Sequence, residues 1–217
     1  MMLKKGMALT RSVSQIVVHF RLRSYLSGTL IALAAIPISA VLWGLFTGRW
    51  TAESRRARKL QGVQLSPIRR IPVPWVYILL YIAGVAIQRV LPIAIHSPGL
   101  AWIIRVAGFV FFGIGIAFAF PALGIFRKTR TTIVPHDTPS TLVTSGPYRF
   151  TRNPMYVGLT LQYLGVAGAS LEIWPAILLP LMLAYINFVI IPVEEQNLRG
   201  VFGDAYAEYG ERVGRWL

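Results

Sequence analysis

The chain has 217 residues, 55% of them hydrophobic and only 14% charged, with a mean hydropathy of +0.58. Soluble domains run at about 45–50% apolar and about 25% charged, and disordered chains are poorer still in apolar residues, so this balance argues against both. Twenty-two Lys+Arg against eight Asp+Glu give a net charge of +14, and the absence of cysteine excludes disulfides, thiolate metal sites and a cysteine nucleophile.

In chain order, residues 1–27 form a basic N-terminal segment with Lys4, Lys5, Arg11, Arg21 and Arg23. Residues 28–46 are apolar but carry Pro37 near the middle, which predicts a span bent at the proline or a re-entrant segment. A signal peptide is not expected, because no convincing small-x-small cleavage site follows. A basic linker then completes a 28–74 unit, and residues 75–217 read as one membrane domain. Its apolar runs at 75–95, 103–123, 155–171 and 173–193 are each near the ~20 residues that a bilayer needs. They are continuous rather than alternating, so helices are predicted. Trp43, Trp50, Trp75, Trp102 and Trp174 mark run ends, as an interfacial aromatic belt does, and Trp216 lies in the tail.

The connections differ in charge. Residues 47–74 hold seven Lys or Arg, the loop 124–154 holds five and the tail 194–217 holds three, whereas the short links around His96 and Glu172 hold none. The positive-inside rule therefore puts the loop and tail in the cytoplasm. The expected architecture is an all-α integral membrane protein of about five transmembrane helices, with the cytoplasmic loop and a C-terminal helix capping a pocket, which the resemblance given below implies is a cofactor pocket. The basic charges are scattered over several loops rather than gathered on one soluble face, so nucleic-acid binding is not expected.

Loop and tail are too small to hold separate cores and are expected to fold together over the helix ends. In the loop, Gly146-Pro147 is turn chemistry, and Asn153-Pro154 fits a helix start, with Asn153 able to cap. A helix N-terminus favours anions, and Arg149 and Arg152 stand beside it, either as ligand contacts or as snorkelling anchors. In the tail, Glu194-Glu195 directly follow an apolar run; neighbours on a helix point ~100° apart, which predicts one paired with Arg149 or Arg152 and one facing a ligand. Leu198, Phe202, Tyr206 and Tyr209 are expected to form one apolar stripe on one helix, as an interfacial face or a pocket wall. His19, His96 and His136 form no ligand pair, so no metal is expected. Gly113-Ile114-Gly115 has Phe118 where a dinucleotide fingerprint needs glycine, and is expected to permit close helix packing. With no Walker loop and no Ser/His/Asp constellation, a reaction needing orientation and suitable electrostatics is favoured.

Gly146-Pro147-Tyr148-Arg149, Arg152-Asn153-Pro154-Met155-Tyr156-x-Gly158, Glu194-Glu195-x-x-Leu198, Phe202-Gly203-x-x-Tyr206-x-x-Tyr209 and Val213-x-Arg215-Trp216 together resemble the isoprenylcysteine carboxyl methyltransferase family, with its related phospholipid methyltransferases and bacterial branch. The match covers about residues 129–217. Asn153 stands where the family's Arg-His-Pro-x-Tyr element has histidine. The resemblance implies methyl transfer from S-adenosyl-L-methionine to a lipophilic carboxylate, amine or thiol that enters from the bilayer. It points to Arg152, Glu195 and Arg215 as catalytic, and to Gly146, Tyr148, Arg149, Asn153, Pro154, Tyr156, Glu194, Glu195 and Tyr206 as cofactor-binding. A carboxylate acceptor needs an arginine (Arg149, Arg152 or Arg215), and an amine needs a base (Glu194 or Glu195). The expected location is the bacterial inner membrane with the site facing the cytoplasm. The alternatives are an NADPH-dependent membrane reductase of sterol-reductase-like arrangement and a non-catalytic protein whose basic loops bind anionic lipid.

Overall fold

The computed structural model describes residues 73–129 and 141–217; the expectations for segment 1–27, for the apolar run 28–46 and its linker, and for His136 lie outside these residues. All regular elements among the described residues are helical: α1 (Val73–Val90), α2 (Pro98–Thr129), a 3-10 turn (Gly146–Arg149), α3 (Pro154–Ser170), α4 (Ile173–Tyr185), α5 (Ile191–Phe202) and α6 (Asp204–Arg212). Three rods are long and apolar enough to cross a membrane, at Val73–Val90, Pro98–Ile125 and Ile173–Phe202. The chain is an integral membrane protein.

Helix limits depart from the apolar runs in two places. α1 stops at Val90 rather than at 95, because Pro92 pushes the residue before it away from helical geometry and Gln88 Nε2 donates to the Ile93 carbonyl at 2.7 Å. α2 continues six residues past 123 to Thr129, so the expected loop 124–154 begins as helix. Gly124 alone does not end it, since one interior glycine costs only about 1 kcal/mol.

α3 is the centre of the bundle. Its 17 residues span only ~25 Å, and most of its faces are buried against α2, α1 and α4. The α2–α3 contact is built on glycine. Gly108 lies against Gly165 and Ala169, and Gly115 against Gly158 and Gln162; a Cβ added at either position would sit 2.5–2.7 Å from the facing backbone. Two backbones approach this closely only where side chains are missing. In the Gly113-Ile114-Gly115 run, Gly115 has this packing role and Gly113 does not, having open space where its Cβ would be.

α3 ends at Leu171, whose φ of 58° reverses the chain, with Glu172 N–H bonded to the Ala167 carbonyl at 2.9 Å. This is the tight hairpin expected of so short a link. Beneath it, Arg89 of α1 pairs with the buried Glu172 at 3.1 Å, and Tyr81 bonds Ser170. Tyr77, Tyr81 and Tyr163 stack beside Met182, Ile186 and Ile191 as the main core.

α4 and α5 are one rod interrupted by a single π turn at Ile186–Ile190, where Ile191 N–H bonds the Ile186 carbonyl five residues back. Pro192 explains it: proline has no N–H, and its ring crowds the carbonyl four residues earlier, so the backbone widens ahead of it. The rod then carries Glu194 and Glu195 without a break.

Gly115→Leu is expected to lower the melting temperature in detergent, since overpacking a tight contact costs roughly 1–3 kcal/mol. Gly113→Leu, two residues away, is expected to leave it nearly unchanged.

Candidate active site

The loop and the tail meet at the end of the bundle where α3 begins. Gly146 opens the turn at φ 62°, with its Cα packed so tightly on Ile125 that a Cβ would lie 2.7 Å from the Ile125 side chain. Tyr148 is buried beside Ala122 and Val143, while Arg149 is exposed and makes no ion pair among the described residues. Of the two loop arginines, Arg152 therefore meets the acid pair.

The next three residues are sewn to the chain's last residues. Thr151, fully buried, donates its hydroxyl to the Arg215 carbonyl at 2.8 Å and accepts from Asn153 N–H at 3.1 Å. Arg152 N–H bonds the Gly214 carbonyl at 2.8 Å. Asn153 does not cap α3 as expected: its Nδ2 donates to the Arg215 carbonyl at 2.9 Å instead. Pro154 at the first helical position has no N–H to satisfy, so the helix start tolerates the loss of that cap.

The two glutamates point to different partners, as adjacent helical residues must. Glu195 is 6% exposed and takes both arginines: Arg152 Nη1 lies 3.1 Å from its Oε1, and Arg215 grips both oxygens, Nε at 2.8 Å and Nη2 at 2.7 Å. The Arg215 contact is a bidentate pair of the stronger kind. Glu194 instead accepts the Tyr156 hydroxyl at 2.6 Å and has no cation partner among the described residues.

Leu198 and Phe202 do not share one helix with Tyr206 and Tyr209, contrary to the expected single stripe. Gly203, at φ 51°, breaks the rod, and α6 starts in a new direction. Only the two tyrosines are buried. Tyr206 accepts from Arg152 Nη1 at 3.3 Å, and Tyr209 donates to the Tyr148 carbonyl at 2.7 Å. Burial holds the Tyr209 hydroxyl up at about 12 and raises Tyr206 and Tyr148 above the ordinary phenol range, so all three stay protonated at physiological pH. α6 is thus a clasp that closes on the loop, with its charged side chains turned outward.

Thr151 and Tyr209 were not among the expected site residues. A hydroxyl two residues ahead of Pro-capped Asn153 is the local signal for Thr151, since Thr can bond the backbone N–H two residues on. Tyr209 was marked only as part of the stripe and the motif; its partner, 61 residues away, had no local signal.

Tyr209→Phe is expected to cost about 1 kcal/mol, the net worth of one hydrogen bond, and to speed hydrogen exchange of the 146–149 turn more than that of α2.

Two comparisons, with curated proteins and with solved structures, found no similar protein. A third found that residues 103–205, from early α2 to the start of α6, match the family model described as phospholipid methyltransferase. The matched stretch contains α3, the loop and the acid pair, and stops short of Tyr206, Tyr209 and Arg215. Residues 103–205 are thus similar to the phospholipid methyltransferase family, which includes the isoprenylcysteine carboxyl methyltransferases.

Proposed function

We propose that this membrane methyltransferase uses S-adenosyl-L-methionine to methylate a lipophilic carboxylate, amine or thiol, at a site facing the cytoplasm of the bacterial inner membrane. The observation that carries the reading is the division of labour between Glu194 and Glu195. One acid is neutralised by two arginines. Its neighbour accepts only a tyrosine hydroxyl and has no cation partner among the described residues, which leaves it able to meet a cation.

The donor set suits two of the cofactor's three charges, one cationic and one anionic. Glu194 suits an ammonium or a sulfonium. Arg152 has an Nε that is buried without a hydrogen-bond partner among the described residues, a donor suited to a carboxylate. When bound, the cofactor supplies an electrophilic methyl group on a positively charged sulfur. The chain's part is to bind and orient. Glu195 and Tyr206 hold Arg152 in place, Tyr156 holds the Glu194 carboxylate, and the clasp of α6 and the strap 213–217 excludes water. Holding donor and acceptor at ~3–3.5 Å is the main source of acceleration in such a displacement, and a dry site strengthens every charge in it. A lipophilic acceptor reaches this end of the bundle from the bilayer, along rods whose outer faces are apolar.

Arg152, Glu194 and Tyr156 are therefore the cofactor-binding residues in this reading, with Tyr148, Asn153, Pro154, Gly146 and Tyr206 shaping the turn around them. Glu195 and Arg215 set the position of Arg152, and Arg149 remains a surface cation.

Titration calorimetry in detergent should show S-adenosyl-L-methionine binding by the unmodified protein. Glu194→Gln should weaken it at least about tenfold, the worth of about 1.4 kcal/mol, while leaving the melting temperature in place. No binding by the unmodified protein would overturn the reading. Orientation has its own test, because the chain has no cysteine of its own. In intact cells a membrane-impermeant maleimide should label Ser97→Cys and leave Ser145→Cys unlabelled; the reverse pattern contradicts a cytoplasmic site.

A further inference from the structure

Arg215 comes from the last three residues of the chain, yet it makes the closest contacts to Glu195. Several bonds hold this strap, residues 213–217. Its backbone is tied to Thr151, Arg152 and Asn153, and these bonds fix the carbonyls of Gly214 and Arg215, not the direction of the side chain. The remaining tie is Trp216, whose indole N–H donates to Asn187 Oδ1 at 3.1 Å. Asn187 lies in the π turn, seven residues before Glu194, and so ~10 Å deeper along the rod. The strap therefore dips from the helix ends into the bundle, where Trp216 packs against the main core. At that depth an indole N–H without an acceptor is costly, and so is a free amide, so each group specifies the other.

We propose that the Asn187–Trp216 hydrogen bond is a positioning pair that holds Arg215 on Glu195 and so sets the charge balance of the cofactor site. Neither residue has a hydrogen bond to the acid pair among the described residues. Arg152 and Arg215 are the two cations that pair with Glu195. If the latch fails, Arg215 leaves, and the site becomes one charge more negative. A more negative site prefers a sulfonium to an uncharged thioether. The latch thus governs how strongly the site discriminates substrate cofactor from spent cofactor, and hence how readily the product, S-adenosylhomocysteine, is released. This inference rests on the methyltransferase reading above.

The test compares calorimetric affinities for S-adenosyl-L-methionine and S-adenosylhomocysteine, using the full chain in detergent. The variants are Trp216→Phe, which keeps an aromatic ring but loses the N–H, Asn187→Leu, which loses the acceptor, and the two combined. Each single change should shift the affinity ratio toward the sulfonium by roughly three- to tenfold, as expected for one charge acting through a partly polar site over ~10 Å. The double variant should shift it no further, and melting temperatures should stay within a few degrees. If Asn187→Leu does not fold, Trp216→Phe alone carries the comparison. Equal loss of both affinities would mark the pair as purely structural and overturn the proposal, as would an unchanged ratio. Binding of neither ligand by the unmodified protein would instead sink the methyltransferase reading, and the inference with it.

Discussion

A carboxylate at the edge of a membrane, 6% exposed, is intolerable unless something pays its desolvation, and Glu195 is in that position. Arg152 from the turn before α3 and Arg215 from the end of the chain both close on it. The three groups come from parts of the sequence that lie 20 or more positions apart. Removing one member of such a buried network typically costs ~3–5 kcal/mol, because a charge is left behind without its partner. The tail is held against the loop by this requirement as much as by its hydrogen bonds, and the surroundings of Glu194 follow from it.

The rest of the molecule makes that meeting reproducible. Glycine contacts fix α2 against α3 with backbones nearly touching, so the start of α3, with Arg152 and Tyr156, has little room to drift. On the other side, the π turn forced by Pro192 inserts one extra residue into the rod. That insertion turns the face beyond it by about 100°, and the face carries Glu194 and Glu195. A rigid pair of helices and one adjusted rod thus present complementary charges to the same small volume. α6 and the strap are held against them by side-chain bonds from Tyr206, Tyr209, Arg215 and Trp216 and by the backbone bond of Arg152 to Gly214.

Much of this was legible in the residues. Continuous apolar runs identify membrane helices because length and hydropathy are local quantities, and the two-residue identity of Glu194-Glu195 already implied two directions. Arg152 and Arg149 could not be told apart by spacing: each is a basic residue near a helix start, and only the 3-10 turn leaves Arg149 facing outward. Asn153 looked like a cap because its type and the following proline fit one, but a distant carbonyl won its side chain. The stripe from Leu198 to Tyr209 has the right period for one helix. Its failure lies in Gly203, whose positive φ ends the rod at a position where periodicity has nothing to say. Contacts such as Tyr209 to Tyr148 and Trp216 to Asn187 join residues tens of positions apart and belong to the tertiary fold alone.

The most direct measurement is a double-mutant cycle on stability in detergent, with Arg152→Met, Glu195→Gln and the pair together. If the buried charges of loop and tail hold each other, the two effects should be strongly non-additive, with a coupling of about 2 kcal/mol or more. Additive effects, within ~0.5 kcal/mol, would mean that the two groups do not depend on each other and would contradict the account.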